Sequence, residues 1–333
     1  KVLLDTGEGI PEYIPLLQEA LDKEPGAERA TISQVICSHW HHDHVGGIQD
    51  VLSFLAARNI QLHNPPATAA DASSAAAPNR SNKGLVDVDT SISSAPTGVF
   101  KFPCPDRDDP ETQFQTIQDQ DIIKVDDQTT LLTLHTPGHT SDHCSFFLKE
   151  ENTLFTADCV LGQGTAVFED LSSYIRSLEK QLNFLEGLSG GVDGGDDASP
   201  SYKIYPGHGP IIEDGPAKIR EYIKHRFDRE RQVLVVLSST NNNYESDEDT
   251  ESTRVSTMAT ATVKGAAGKT AMDIVKVIYQ AYPATLHLPA QHQILLHLKK
   301  LEEDGKVKRG DEQSVEDIED VVWELLPQTQ ANL

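Results

Sequence analysis

The sequence predicts an α/β main domain followed by a small winged-helix-like module, and three features of the chain carry that prediction. Residues 1–62 alternate strand and helix patterns, which places helices against a sheet. Strand patterns resume between residues 122 and 156 and lead into two long helical patterns. Beyond a low-complexity stretch, the chain closes with two helical patterns and a compact strand-like tail. The expected boundaries are 1–237 for the main domain, 238–268 for a linker and 269–333 for the module.

Val2–Leu4 reads as a strand, and Asp5-Thr6-Gly7-Glu8-Gly9 as the turn after it. Pro11 suits the first turn of a helix through about Asp22, with Ile14, Leu16, Leu17 and Leu21 at helical spacing. Residues 31–38 form a second strand, which ends where a run of histidines begins, and 48–58 a second helix. Residues 65–97 are rich in Ala, Ser, Pro, Asn and Asp, and read as a disordered insertion in a surface loop. Residues 189–201 and 238–268 share that character. Strands are expected at 122–125, Thr130–His135, 145–148, 153–156 and 203–205, and helices at 172–185, 216–237, 270–281 and 290–305.

Composition limits the function classes. Hydrophobic residues at 38% and charged ones at 24% describe a globular chain, and no run approaches the ~18 apolar residues of a membrane-spanning helix. Membrane partners are therefore not expected. Four cysteines without a CxxC pair are too few and too scattered for a disulfide scaffold. A reducing intracellular compartment, cytoplasmic or mitochondrial, follows as the expectation. The net charge of −24 repels phosphate backbones and weakens an RNA-binding reading without excluding it, since part of the acidity lies in the run 245–251. Because the chain starts at Lys1 and opens in a strand, a preceding segment, with any targeting peptide, is expected.

Ser38-His39-Trp40-His41-His42-Asp43-His44 is the most informative stretch. Zinc takes imidazole nitrogen and carboxylate oxygen at short, fixed distances. One loop carrying His39, His41, Asp43 and His44 can direct two ligands to each of two adjacent ions. Further candidates stand just past predicted strands: His139 in Thr136-Pro137-Gly138-His139-Thr140, Asp158 in Phe155-Thr156-Ala157-Asp158, and His208 in Tyr205-Pro206-Gly207-His208-Gly209. A lone Pro-Gly-His is a weak signal, equally a turn with a capping histidine. Four such segments in one chain are a strong one.

This set resembles the metallo-β-lactamase superfamily, with HxHxDH over residues 39–44 and then His139, Asp158 and His208. Asp5 in Leu3-Leu4-Asp5-Thr6-Gly7 looks like the family's first motif, an Asp at a strand end. The resemblance covers nearly the whole chain apart from the low-complexity stretches. It implies a four-layer αββα sandwich with the site at one edge, holding two zinc ions. His39, His41 and His139 would hold one ion, and Asp43, His44 and His208 the other. Asp158 would bridge them, and Asp5 would support the ligands from behind. Asp43 and Asp158 are then the candidate catalytic carboxylates. Two departures are Ala157, where the family usually has Gly, and Ser38, where Thr is common. Both residues are small, so the metal set stands.

Residues 160–171, Lys218-Ile219-Arg220-Glu221-Tyr222-Ile223 with His225-Arg226, and His297-Leu298-Lys299-Lys300-Leu301-Glu302 narrow the likeness. They resemble the lactamase-beta-two-like branch, whose members carry a C-terminal winged-helix-like domain. Fungal members of that branch release polyketides from acyl carrier proteins as thioesterases, and an animal mitochondrial member cuts single-stranded RNA. Residues 160–171 are either a structural loop and helix start or a substrate contact.

Three readings follow. In the first, a metal-bound hydroxide, formed because the pKa of the water falls from ~15.7 to ~7, attacks an acyl thioester of a carrier protein or a small thiol. The acidic chain and the wording of 164–171 favour it. The second is a single-strand-specific endoribonuclease, with Lys299, Lys300, Lys306, Lys308 and Arg309 as either RNA contacts or a solvated face. The third is a non-catalytic binding protein with a vestigial metal site, which a complete ligand set opposes. His42 and His143 are expected to hydrogen-bond rather than transfer protons, and Cys159 to be a packed thiol. Homo-oligomerisation is left open.

Overall fold

The computed structural model describes residues 1–23, 32–57, 91–92, 98–189, 202–239, 268–310 and 318–330. The expected insertion at 65–97, apart from 91–92, most of the two linkers and the acidic run 245–251 lie outside them. The chain divides into two compact units, Lys1–Tyr222 and Ile223–Leu333.

In the first unit the order is β1 (Val2–Leu4), α1 (Tyr13–Asp22), β2 (Gln34–Cys37), α2 (His42–Val45), α3 (Ile48–Ala57), β3 (Ser91–Ile92), β4 (Val99–Lys101), β5 (Phe114–Thr116), β6 (Ile122–Lys124), β7 (Thr130–His135), β8 (Cys144–Leu148), β9 (Thr153–Ala157), α4 (Leu171–Ser189) and β10 (Lys203–Pro206). Helix α5 (Gly215–Ser238) begins in this unit. One sheet runs β1-β2-β4-β5 with every pair parallel. The second runs β10-β9-β8-β7-β6-β3, with its central pairs antiparallel.

Strand β2 shows why two sheets must stack. All four of its residues are buried, so both of its faces need cover. Its side chains alternate: Val35 and Cys37 pack with Leu21, Val51 and Leu55 of α1 and α3, whereas Ile36 packs with Phe100, Ile123, Leu131 and Phe146. The second cluster draws on both sheets and is the core between them. On the far face of the second sheet Phe147 meets Phe184 of α4, their ring centroids 5.0 Å apart. The result is the expected αββα sandwich.

Sequence reading missed β4 and β5, which fall in the unassigned stretch before 122. Three residues each are too short to display alternation. It also placed residues 91–92 inside a disordered insertion, and there the backbone instead pairs in parallel with β6.

The second unit holds the larger, C-terminal part of α5, α6 (Ala271–Ile278), α7 (His287–Glu303), the antiparallel pair β11 (Val307–Arg309) and β12 (Trp323–Leu325), and α8 (Pro327–Gln330). Thr270 and Asp273 close a reciprocal capping box at the start of α6. Val233, Leu234, Val236 and Leu237 of α5 share one core with Ile274, Ile294, Leu298 and Trp323. For that reason the division into compact units falls between Tyr222 and Ile223. No helix among the described residues is long and apolar enough to cross a membrane.

Candidate metal centre

Every candidate ligand follows the end of a strand. His39 and His41 leave β2, His139 follows β7, Asp158 follows β9, and His208 follows β10. The short helix α2 begins just after His41 and carries Asp43 and His44 round to the same place. The His44 carbonyl is tied down, because the backbone N–H and hydroxyl of Thr6 both donate to it, at 2.8 and 2.9 Å. Asp5 stands beside Thr6, after β1.

These residues gather into two sets of donor atoms that share one carboxylate: His39, His41, His139 and Asp158, and Asp43, His44, Asp158 and His208. In the first set the three ring nitrogens lie 3.0, 3.2 and 2.9 Å from one another, and Asp158 Oδ2 is 3.7 Å from His139 Nε2. In the second set His208 Nε2 is 3.0 Å from Asp43 Oδ2, His44 Nε2 is 3.5 Å from the same oxygen, and both rings are 3.4 Å from Asp158 Oδ1. Ligands about 2.0–2.1 Å from a tetrahedral ion stand roughly 3.3 Å apart, so both sets have the right spread. Asp158 turns one oxygen to each set.

The outer atoms of the imidazoles fix which nitrogen faces inward. His139 Nδ1 donates to the carbonyl of Val167 at 2.8 Å, so its Nε2 presents a lone pair. His44 Nδ1 donates to Asp5 Oδ2 at 2.8 Å, which turns its Nε2 toward the second set. Ser38 Oγ donates to Asp5 Oδ2 at 2.9 Å and accepts from His39 Nδ1 at 3.0 Å. Asp5 therefore orients one ring of each set, directly and through Ser38, while its other oxygen accepts the Ser38 N–H at 2.7 Å.

The inward lone pairs of His39 and His139, 3.2 Å apart, repel each other unless a cation lies among them. Protonation does not relieve the crowding, because burial lowers the pKa of His39, His41 and His139. His44 Nε2 and Asp158 Oδ1 are buried atoms without a hydrogen-bond partner. Unpaired buried polar atoms are costly, and here both belong to the second donor set. Burial opposes a charge on His44, yet the carboxylates of Asp158 and Asp5 that face its two ring nitrogens raise its pKa to about 10. Such a field attracts positive charge. On lone-pair direction, spacing and unpaired atoms, the residues fit metal ions.

Comparison with known proteins agrees with this geometry. Residues 1–208 match the Metallo-beta-lactamase superfamily. The chain belongs to the metallo-β-lactamase superfamily. Residues 270–316 match the Beta-lactamase associated winged helix domain. A "Beta-lactamase-like protein 2 homolog" of Drosophila melanogaster is 32% identical over 92% of this chain and 80% of its own length. The "Lactamase-like protein adaB" of Aspergillus niger is 31% identical over 92% of this chain and 73% of its own. Among solved structures, a beta-lactamase domain protein from Burkholderia ambifaria superposes with a TM-score of 0.58 at 13% identity, covering 98% of this chain and 82% of that one. That likeness speaks to the fold alone. Superfamily members are mostly hydrolytic metalloenzymes.

Close approach explains two small residues of the metallo-β-lactamase site. A Cβ on Gly207 would stand 2.4 Å from Asp158 Oδ1, so only glycine lets His208 and Asp158 share a set. Ala157 has φ +40°, in the left-handed region where a side chain is strained. That strain accounts for the glycine usual at this position. Ala157→Gly is expected to leave stability unchanged or raise it by up to about 1 kcal/mol, whereas the β-branched Ala157→Val should cost at least about 2 kcal/mol. Urea unfolding of the two variants checks this, and equal loss in both would remove the strain argument.

Several contributors escaped sequence reading. The Val167 carbonyl acts through the backbone, so no residue type announces it; it gives 160–171 a ligand-holding role. Lys101 is buried at 1% exposure among Asp108, Asp142 and the Phe102 carbonyl, with Asp142 Oδ2 at 2.6 Å. It braces the loop that carries His139, and a lone lysine in a short strand gives no hint of that. His143 is fully buried with Nδ1 2.8 Å from the Thr136 hydroxyl, a hydrogen-bonding position. His42 is exposed and stands in neither donor set. Cys159 is a buried thiol facing the Gln181 amide.

Proposed function

We propose that the chain is a dinuclear zinc hydrolase of acyl thioesters, acting on an acyl carrier protein or a small acyl thioester. The observation that supports two ions is Asp158, whose two oxygens serve separate donor sets. His39, His41 and His139 would hold one ion, Asp43, His44 and His208 the other, with Asp158 between them. When bound, the ions supply Lewis acidity and an acidified water at neutral pH. Asp5 keeps His39 and His44 in ligand orientation, and the Val167 carbonyl does so for His139.

A thioester suits this site because a thiolate leaves with little help from an acid. The neighbouring imidazole, His143, is fully buried and engaged with Thr136, a poor position from which to protonate a leaving group.

The second unit speaks against RNA. Of the basic residues an RNA contact would use, Lys300 lies 2.9 Å from both Glu230 and Asp304, Lys306 2.9 Å from Asp304, Lys308 3.3 Å from Glu324, and Arg309 2.9 Å from Glu302. Their charge is met by carboxylates of the same unit, so counterion release onto a polyanion would gain little. The complete donor set in turn opposes a vestigial site.

The test is turnover of an acyl-N-acetylcysteamine thioester by zinc-loaded protein, set beside cleavage of single-stranded RNA. Charge reversal at Lys299, Lys306 and Arg309 is expected to change thioester kcat/KM less than about threefold, or ~0.7 kcal/mol of barrier. Lys300 is left intact, because reversing it would place like charges against the buried Glu230. RNA cleavage that dies with those reversals, alongside no thioester turnover, would establish the nuclease instead.

A further inference from the structure

Arg107 is exposed, and in a chain of net charge −24 it forms no ion pair among the described residues. Its guanidinium lies instead over the indole of Trp40, with 4.8 Å between Cζ and the ring. Trp40 is half-buried between the ligand candidates His39 and His41, and its ring centroid is 4.4 Å from that of His41. Two ring contacts thus connect an unpaired cation to the edge of the first donor set.

The loop that presents Arg107 is held firmly. The Arg107 N–H donates to the Cys104 carbonyl at 2.8 Å, and Asp108 Oδ2 accepts the Cys104 N–H, also at 2.8 Å. Asp108, the carboxylate next in sequence, is turned inward to the buried Lys101 and so does not neutralise Arg107. The exposed guanidinium keeps N–H donors to offer, and its planar fork matches a planar or tetrahedral oxyanion in two-point fashion.

We propose that Arg107, lying over Trp40, is an oxyanion-recognition element of this site and sets its preference for substrates that carry a negative group beside the scissile bond. The inference rests on the thioesterase reading for its reaction but not for its binding. The oxyanion could be a carboxylate on the acyl half or a phosphate on the thiol-bearing arm, and both present the same chemistry to a guanidinium.

Two substrate pairs separate these sources. Succinyl- and butyryl-N-acetylcysteamine differ by the acyl carboxylate, and acetyl-phosphopantetheine and acetyl-pantetheine by the phosphate. In one pair, Arg107→Gln is expected to lower the anionic-to-neutral ratio of kcat/KM at least tenfold, with Arg107→Lys retaining part of the preference. Loss in the first pair assigns the acyl half, and loss in the second assigns the carrier arm. Unchanged ratios in both overturn the proposal, given unaltered metal content of the variant. Calorimetric binding of the matching non-hydrolysable thioethers supplies a readout that needs no turnover. A wild type that hydrolyses none of the four esters ends the thioesterase reading. In that event a tenfold weaker affinity of Arg107→Gln for an anionic thioether, but not for its neutral partner, still sustains the oxyanion site, and equal affinities dismiss it.

Discussion

Asp158→Ala is expected to lower hydrolysis of any substrate at least a thousandfold, about 4 kcal/mol of barrier, and to reduce metal content below two ions per chain. The side chain is the one member common to both donor sets. Removing it takes Oδ2 from beside His139 and Oδ1 from between His44 and His208. Among the described residues no neighbouring carboxylate replaces both contacts, since Asp43 reaches only the second set. Asp158→Asn is the shape-matched partner: it keeps one oxygen, and should retain one ion more firmly than the other. If Asp158→Ala kept a tenth of the wild-type rate with full metal content, the bridge would lie elsewhere.

Asp5→Ala has the second largest expected effect, a ten- to hundredfold loss of metal affinity, the usual range for groups that orient ligands from behind. Asp5 touches no donor position itself. It accepts from His44 Nδ1, from the Ser38 hydroxyl that holds His39, and from the Ser38 N–H. Its removal frees one ring of each set to rotate, so both ions should weaken together. Asp5 has φ +60°, which asparagine tolerates well, so Asp5→Asn separates loss of charge from backbone strain. Chelator competition reads the affinity, and far-ultraviolet circular dichroism shows whether the fold survives. Loss of one ion alone would mean that the path through Ser38 to His39 carries no weight.

The histidine loop and the strand ends that deliver His139, Asp158 and His208 were legible because each rests on a residue type with its own chemistry, and the layer order came with the family resemblance that those residues carry. Strand β2 is an instance: its apolar run stops at Cys37, and the first candidate ligand stands two residues later. What stayed hidden acts through backbone or through long-range pairing. The Val167 carbonyl would serve equally well under another side chain. Lys101 finds Asp142 only after the chain has folded, and nothing local marks the pair. Basic residues in the C-terminal module looked like a strip in sequence because Glu230, Asp304 and Glu324, their partners, are scattered along the chain.

Elemental analysis of protein purified without chelator tests the central claim most directly. A shared Asp158 between two complete donor sets requires close to two ions per chain, zinc in the reading advanced here, and His208→Ala should give up one of them. A fully active wild type holding a single ion, or none, would contradict it.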